Sequence, residues 1–260
     1  MRLRTIVLTQ EDRFFLPTNI EKLTQVADVV EIVVIDSKGS LSNKTQDFYR
    51  WFGISQIAKM GCKYTGRMAL DWLDCLLGWR VLNGCGSVKS VAKKNNIPFL
   101  KISDVNSEEF VEHVRSLSPD SIVSYSAPQV IKEPLLSLPR NGIINVHGSL
   151  LPSFRGLLPS FWVLYHDQEE TGATVHYMSG KIDDGRILRQ QPVSIKGVRS
   201  MFEVMARTKQ VGGELVLQAV RLISEGRAES TENDISRGNY FSWPNEQQTR
   251  TFRRKGYRLI

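Results

Sequence analysis

Apolar and polar positions follow two different periods along this chain, and the switches between them mark its elements. Arg4 to Thr9 (RTIVLT) is a short apolar and β-branched run, the pattern of a buried strand. Pro17 then opens a predicted helix running to about Val26. Glu31 to Asp36 (EIVVID) predicts a second strand, closed by the turn Ser37-Lys38-Gly39-Ser40. Further on, Ser87 to Asn96 reads as an N-capped helix and Ile97 to Ile102 as a strand. Ser107 to Leu117 reads as a helix with Glu108 and Glu109 in its first turn, and Asp120 to Ser124 as a strand. Strand alternating with helix predicts an α/β fold built on a doubly wound, mostly parallel sheet. Such sheets bind ligands beyond the carboxyl ends of their strands. The loop after the first strand, Gln10 to Phe15, is therefore a candidate substrate-side loop, with Gln10 and Asp12 as its candidate contacts.

Residues 41–80 interrupt this rhythm. They are expected to be helical and are rich in aromatics: Phe48, Tyr49, Trp51, Phe52, Tyr64, Trp72 and Trp79. Helix packing accounts for such spacing in any core-facing helix. The other reading is an insertion that shapes a substrate pocket or a dimer contact. Near the far end, Ser200 to about Ser224 has helical periodicity, with Gly212 and Gly213 as a weak point.

The stretch from Asn141 to Gln191 carries the candidate chemistry. Ile143 to His147 predicts a short buried strand between Gly142 and Gly148. Side chains alternate along a strand, so Asn145 and His147 share a face. An amide can stabilise a developing oxyanion, and an imidazole can move a proton near neutral pH. A lone histidine at a strand end is more commonly structural, so the second half of the stretch decides. Thr174 to Met178 predicts a strand and Arg186 to Val193 another. Between them Ser179-Gly180-Lys181-Ile182-Asp183-Asp184-Gly185 forms a polar, glycine-bounded loop. Adjacent carboxylates in such a loop usually form turns. If the loop folds back over Asn145 and His147, one of them could orient the ring.

These residues resemble the folate-dependent formyltransferase family. The resemblance rests on four submotifs in order: N-x-H-x-S-L-L-P (Asn145 to Pro152), R-G with Pro159 (Arg155, Gly156), T-G-x-T-V-H (Thr171 to His176), and I-D-x-G-x-I-L (Ile182 to Leu188). It implies a Rossmann-like formyltransferase fold and a catalytic Asn145, His147 and Asp183. It implies 10-formyltetrahydrofolate as cosubstrate. Pro128, Gln129, Val130, Ile131 and Leu157 would lie along the folate pocket, and Ser179, Gly180 and Lys181 would offer backbone groups to the pterin ring. Gly156 to about Tyr165 would be a helix under the site. Gly148 stands where the family usually has proline, which is expected to loosen the loop. The loop after the first strand (TQEDRFF) lacks the glycines with which the glycinamide ribonucleotide enzymes hold a phosphate.

Composition narrows the class. The chain has 260 residues, 41% hydrophobic and 23% charged, as in ordinary globular proteins. The longest apolar run is too short to span a bilayer, and no signal-peptide pattern opens the chain, so a cytoplasmic protein is expected. Cys62, Cys75 and Cys85 are expected to be free thiols, and no histidine or cysteine spacing suggests a metal. Net charge is +7, concentrated in Arg250, Arg253, Arg254, Lys255 and Arg258. A solvated tail is the simpler reading, and a phosphate or nucleic-acid site the sharper one.

The expected organisation is a catalytic domain over residues 1–224, including the helical 41–80 section, and a short C-terminal extension over 225–260. The expected reaction is formyl transfer to a primary amine of a small molecule, with a nucleotide-linked amino sugar as the preferred acceptor. The alternatives are a methionyl-tRNA formyltransferase-like enzyme, from which the resemblance would require a larger C-terminal domain, and a 10-formyltetrahydrofolate hydrolase. A folate-binding relative without turnover, and a basic protein that binds polyanions through its tail, complete the field. The tail could also pair across a homodimer.

Overall fold

A computed structural model describes residues 2–36 and 48–260. The expected turn at 37–40 and the start of the helical section, 41–47, lie outside the described residues.

Seven strands form one sheet in the order β3-β2-β1-β4-β5-β7-β8. They are β1 (Arg4–Thr9), β2 (Asp28–Ile35), β3 (Phe99–Ile102), β4 (Ser121–Tyr125), β5 (Ile143–His147), β7 (Glu170–Tyr177) and β8 (Ile187–Ser194). The first five run parallel, and β7 and β8 pair antiparallel beside β5. This is the doubly wound, mostly parallel sheet expected from the sequence. β1, β2 and β4 are almost continuously buried because helices cover both faces. On one face Val7, Val123 and Ile144 pack with Leu16 and Ile20 of α1 (Leu16–Thr24), Val88 and Val91 of α3 (Val88–Lys94) and Val216 of α6 (Met201–Ser224). On the other, Ile6, Leu8 and Ile122 pack with Phe110 and Val114 of α4 (Glu108–Leu117).

The caps are where the sequence puts them. Ser87 Oγ accepts the Ser90 N–H and Ser107 Oγ accepts the Phe110 N–H. The helical section contains a turn over 48–52 and then α2 (Ile54–Leu76), 23 residues long. α6 runs unbroken through Gly212 and Gly213, so these are not a weak point. A Cβ on Gly212 would stand 2.6 Å from Val146 Cγ2, and one on Gly213 2.3 Å from Asn19 Oδ1. The helix needs bare backbone there to lie close on β5 and α1.

Residues 225–260 are part of the body. The short strands β6 (Arg155–Gly156) and β9 (Tyr240–Phe241) pair in parallel. Helix α7 (Glu246–Arg254) opens with a capping box on Asn245 and buries Phe252, which stacks on Phe161 of α5 (Pro159–Tyr165) at 4.5 Å between centroids. Tyr257 and Leu259 join the same cluster with Trp51, Phe52 and Trp162. Lys255 in the basic tail bonds the Tyr165 carbonyl and Asp167, and Arg250 pairs with Glu246 at 2.6 Å.

Candidate active site

β5 ends at the carboxyl edge of the parallel sheet. Val146 turns toward α6, and Asn145 and His147 therefore share the opposite face. The antiparallel neighbour β7 adds to that face. Asn145 pairs directly with His176 and His147 with Thr174. Thr174 then ties down the loop that follows β5. Its hydroxyl donates to the Ser149 carbonyl at 2.7 Å and accepts the Leu151 N–H at 3.1 Å. Ser149 Oγ donates to the Ser153 carbonyl at 2.7 Å. Gly148 does not loosen this loop: Ser149, Leu151 and Ser153 after it are all hydrogen-bonded, and a Cβ at 148 would find ordinary contact with Pro159 and Thr208.

The loop between β7 and β8 folds back over the same face and delivers Asp183. Its carboxylate lies 3.4 Å from His147 Nδ1 and 3.6 Å from His176 Nε2, and accepts the Gly156 N–H at 2.8 Å. Asp183 sits at φ +51°, a left-handed conformation that a side-chain-bearing residue adopts only when its surroundings hold it. The holding contacts are present. Asn233 Nδ2 donates to the Asp183 carbonyl at 3.0 Å, and Ser179 Oγ bonds the neighbouring Asp184. A Cβ on Gly185 would fall 1.8 Å from the Tyr177 carbonyl, so only glycine lets the loop close this tightly. Burial by itself would raise the Asp183 pKa. The charge of His147, the ring of His176 and the Gly156 N–H outweigh it and hold the group down at about 2.

Both ring nitrogens of His147 are engaged. Nε2 donates to the Phe154 carbonyl at 2.8 Å, which leaves Nδ1 as the nitrogen facing Asp183. In His176, Nδ1 donates to the Tyr177 carbonyl at 2.8 Å. In the neutral ring Nε2 is then an acceptor for Asn145 Nδ2, 3.2 Å away; in the charged ring the same nitrogen donates toward Asp183, and that form is the one that lowers the Asp183 pKa. Sequence reasoning placed His176 inside a motif but gave it no role, and missed Asn233. His176 could have been found from its spacing had the antiparallel register been known. Nothing local in the sequence marks Asn233.

The other candidates divide. Val130 and Leu157 expose apolar surface, and Gly180 and Lys181 are exposed in the Asp183 loop. Pro128 is half-buried. Gln129 uses its amide to bridge two loops, accepting the Val105 N–H and donating to the Ser103 carbonyl. Ile131 is fully buried among Phe110, Ile122 and Leu135 and offers no surface to a ligand, because the chain turns inward there to close the core. Asp12 is a structural cap: one carboxylate oxygen accepts the N–H groups of Phe14, Phe15 and Leu16 at 2.6 to 2.9 Å. Gln10 is half-buried, its carbonyl taken by Thr9 Oγ1.

The loop after β1 instead presents its aromatics. Phe14 and Phe15 meet Phe202 at 5.3 and 4.9 Å between centroids. With Lys63, Arg67 and Leu70 they line a cleft of about 450 Å³. β1 and β5 lie two strand spacings apart, about 10 Å, and their carboxyl ends share an edge. On that edge Lys209 of α6 is half-buried, bonded to Ser126 Oγ at 2.6 Å, and desolvation pushes its pKa down.

Comparison with known proteins agrees with this geometry. Residues 78–220 match the family described as formyl transferase. The methionyl-tRNA formyltransferase of Thermotoga maritima is 35% identical over 153 residues, 59% of this chain and 49% of the relative. The chain thus matches about half the length of that relative. Among solved structures, phosphoribosylglycinamide formyltransferase from Anaplasma phagocytophilum superposes with a TM-score of 0.62 at 16% identity, covering 93% of this chain and 100% of the other. A sugar N-formyltransferase from a Shewanella species gives 0.58 at 17%, covering 96% and 86%. At those identities the two structures speak for the fold. The family match runs from before β3 into α6 and takes in Asn145, His147, His176 and Asp183. This chain belongs to the formyl transferase family.

Proposed function

We propose that the chain transfers a formyl group from 10-formyltetrahydrofolate to a primary amine on a small molecule. The observation that carries this reading is the convergence of Asn145, His147 and Asp183 on one face of β5, although 38 residues separate the first from the last. The surroundings fit a folate: exposed apolar side chains at Val130 and Leu157, and open space at Gly180. That cosubstrate supplies the activated one-carbon group. The chain supplies the rest. The Asn145 amide donates to the oxygen that becomes negative as the amine adds. His147 holds a proton at Nδ1 against Asp183 and adds its charge beside the same oxygen. Asp183, ionised throughout the neutral range, receives the proton shed by the amine and returns it toward the departing nitrogen.

The acceptor we favour is an amino sugar linked to a nucleotide. The aromatic cleft at Phe14, Phe15 and Phe202 suits a base, and Lys63 and Arg67 beside it suit phosphate. The test incubates the protein with 10-formyltetrahydrofolate and a panel of amines, following tetrahydrofolate by absorbance and products by mass. Release tied to one amine, with that amine gaining a formyl group, is expected. Release without any amine would make the protein a hydrolase.

A further inference from the structure

Helix α2 turns an apolar face to solvent while much of its attachment to the body is polar. Ile57 and Met60 pack on the body's apolar cluster and Tyr64 meets Phe14, and polar side chains make the remaining contacts. Arg67 donates to the Arg13 and Cys85 carbonyls, Asp71 pairs with Arg13 at 3.1 Å and accepts the Ser90 hydroxyl, and Gln56 accepts the Ile260 N–H. Asp74 is fully buried under three backbone N–H groups, from Val81, Leu82 and Gly84. The solvent-facing side is apolar. Ile54 is 79% exposed, Trp72 67% and Leu76 62%.

At about 100° per residue, the residues from Met68 round through Ile54, Thr65, Ala58 and Ala69 to Leu73 span a sector about 140° wide. No charged residue falls within it. Its one hydroxyl near the middle is turned inward: Thr65 Oγ1 donates to the Gly61 and Cys62 carbonyls, which leaves the methyl outward. Contiguous exposed apolar surface on this scale marks an interaction site. It lies before residue 78, outside the segment matched to the family.

We propose that this face pairs with the same face of a second copy, with the two α2 helices antiparallel about a two-fold axis at Thr65. The order of side-chain sizes points to that partner. Trp72 lies as far from Thr65 on one side as the small Ala58 does on the other, Met68 as far as Cys62, and the small pair Gly61 and Ala69 flank the axis evenly. Antiparallel pairing about Thr65 sets Ile54 against Leu76 of the second copy, Ala58 against Trp72 and Gly61 against Ala69. Each large side chain meets a smaller or matching one, as an isologous interface requires. Charge agrees. Two copies at +7 each repel, and the charge-free sector is the surface on which they can approach without joining like charges.

Sedimentation equilibrium from about 1 to about 100 µM tests this. The mass should rise from 29.5 kDa toward twice that value. Ala58→Glu, an exposed helix position away from the aromatic cleft, should raise the midpoint concentration at least tenfold while circular dichroism and thermal midpoint stay put. Thr65→Cys should form an intermolecular disulfide on mild oxidation, because that residue meets its own copy on the axis. Wild type should not, since Cys62 lies about 9 Å along the helix pair from its counterpart. A monomer at every concentration overturns the proposal, and its co-sedimentation with lipid vesicles would reassign the face. A dimer untouched by Ala58→Glu and not bridged through Thr65→Cys overturns it as well.

Discussion

Asn145 and His176 face each other across the antiparallel pair of β5 and β7, with Asn145 Nδ2 3.2 Å from His176 Nε2. An unsecured amide can rotate its oxygen and nitrogen into each other's place. Here His176, itself fixed on the Tyr177 carbonyl, selects one orientation.

Asn145→Ala should lower kcat/KM for formyl transfer by roughly a hundredfold or more, as loss of one oxyanion donor does. His176→Phe keeps the bulk and removes the acceptor. It should cost about fivefold to tenfold, the worth of one ordinary hydrogen bond, and appear in kcat with KM little changed. His176→Gln, whose amide oxygen can accept from Asn145, should recover most of that. Equal losses for Phe and Gln would mean that His176 acts otherwise.

Asp183 makes stability depend on acid. Its folded pKa is about 2, below the ordinary 3.8. A depressed carboxylate contributes stability that is fully present above its unfolded pKa and disappears as pH falls through its folded one. The window is therefore about pH 4 down to about pH 2, and the contribution about 2 kcal/mol. Asp183→Asn should lose less stability than wild type on going from neutral pH to pH 2, by about that amount. Urea melts of both proteins across this range decide it, and parallel curves would remove Asp183 from the account.

Much of this was legible in the sequence. The parallel strands announced themselves through continuous β-branched runs, and the caps at Ser87 and Ser107 through residue type. Asn145, His147 and Asp183 lie in motifs whose order survives without any structure. Contacts between distant segments were not legible. Asp12 looks like a ligand contact until three N–H groups are seen converging on it, and Ile131 looks like a pocket residue until the chain is seen turning inward. Asn233 could not be found at all, because its partner is a backbone carbonyl 50 residues away. The glycine pair in α6 misled because helix propensity is a local quantity, whereas Val146 is a tertiary neighbour.

That pair yields a test in which two effects oppose. Gly212→Ala gains about 1 kcal/mol from helix propensity. It also places a methyl 2.6 Å from Val146 Cγ2, in a buried layer where overpacking costs about 1–3 kcal/mol. The clash should win, so the variant should melt below wild type in guanidinium. Adding Val146→Ala removes the opposing methyl and should restore part of the loss. A Gly212→Ala protein more stable than wild type would show that α6 can ride away from β5 at little cost.

The aromatic cleft gives the most specific prediction about the acceptor. Phe202 meets Phe14 and Phe15, and Lys63 Nζ lies over its ring, 4.0 Å from the centroid. A base stacked on that face would displace the ammonium from the ring and free it for phosphate. Phe202→Ala should then raise KM for a nucleotide-linked amino sugar by roughly tenfold to a hundredfold, the worth of one base stacked on an aromatic ring. It should leave KM for the folate and the rate at saturating acceptor close to wild type, because Asn145, His147 and Asp183 are held by other elements. Lys63→Gln should raise the same KM, and added salt should weaken wild-type binding more than that of the variant. Steady-state kinetics with the two substrates varied in turn separates these effects. A loss in kcat, or in folate KM, would place the cleft outside the acceptor's path and leave the nucleotide reading without support.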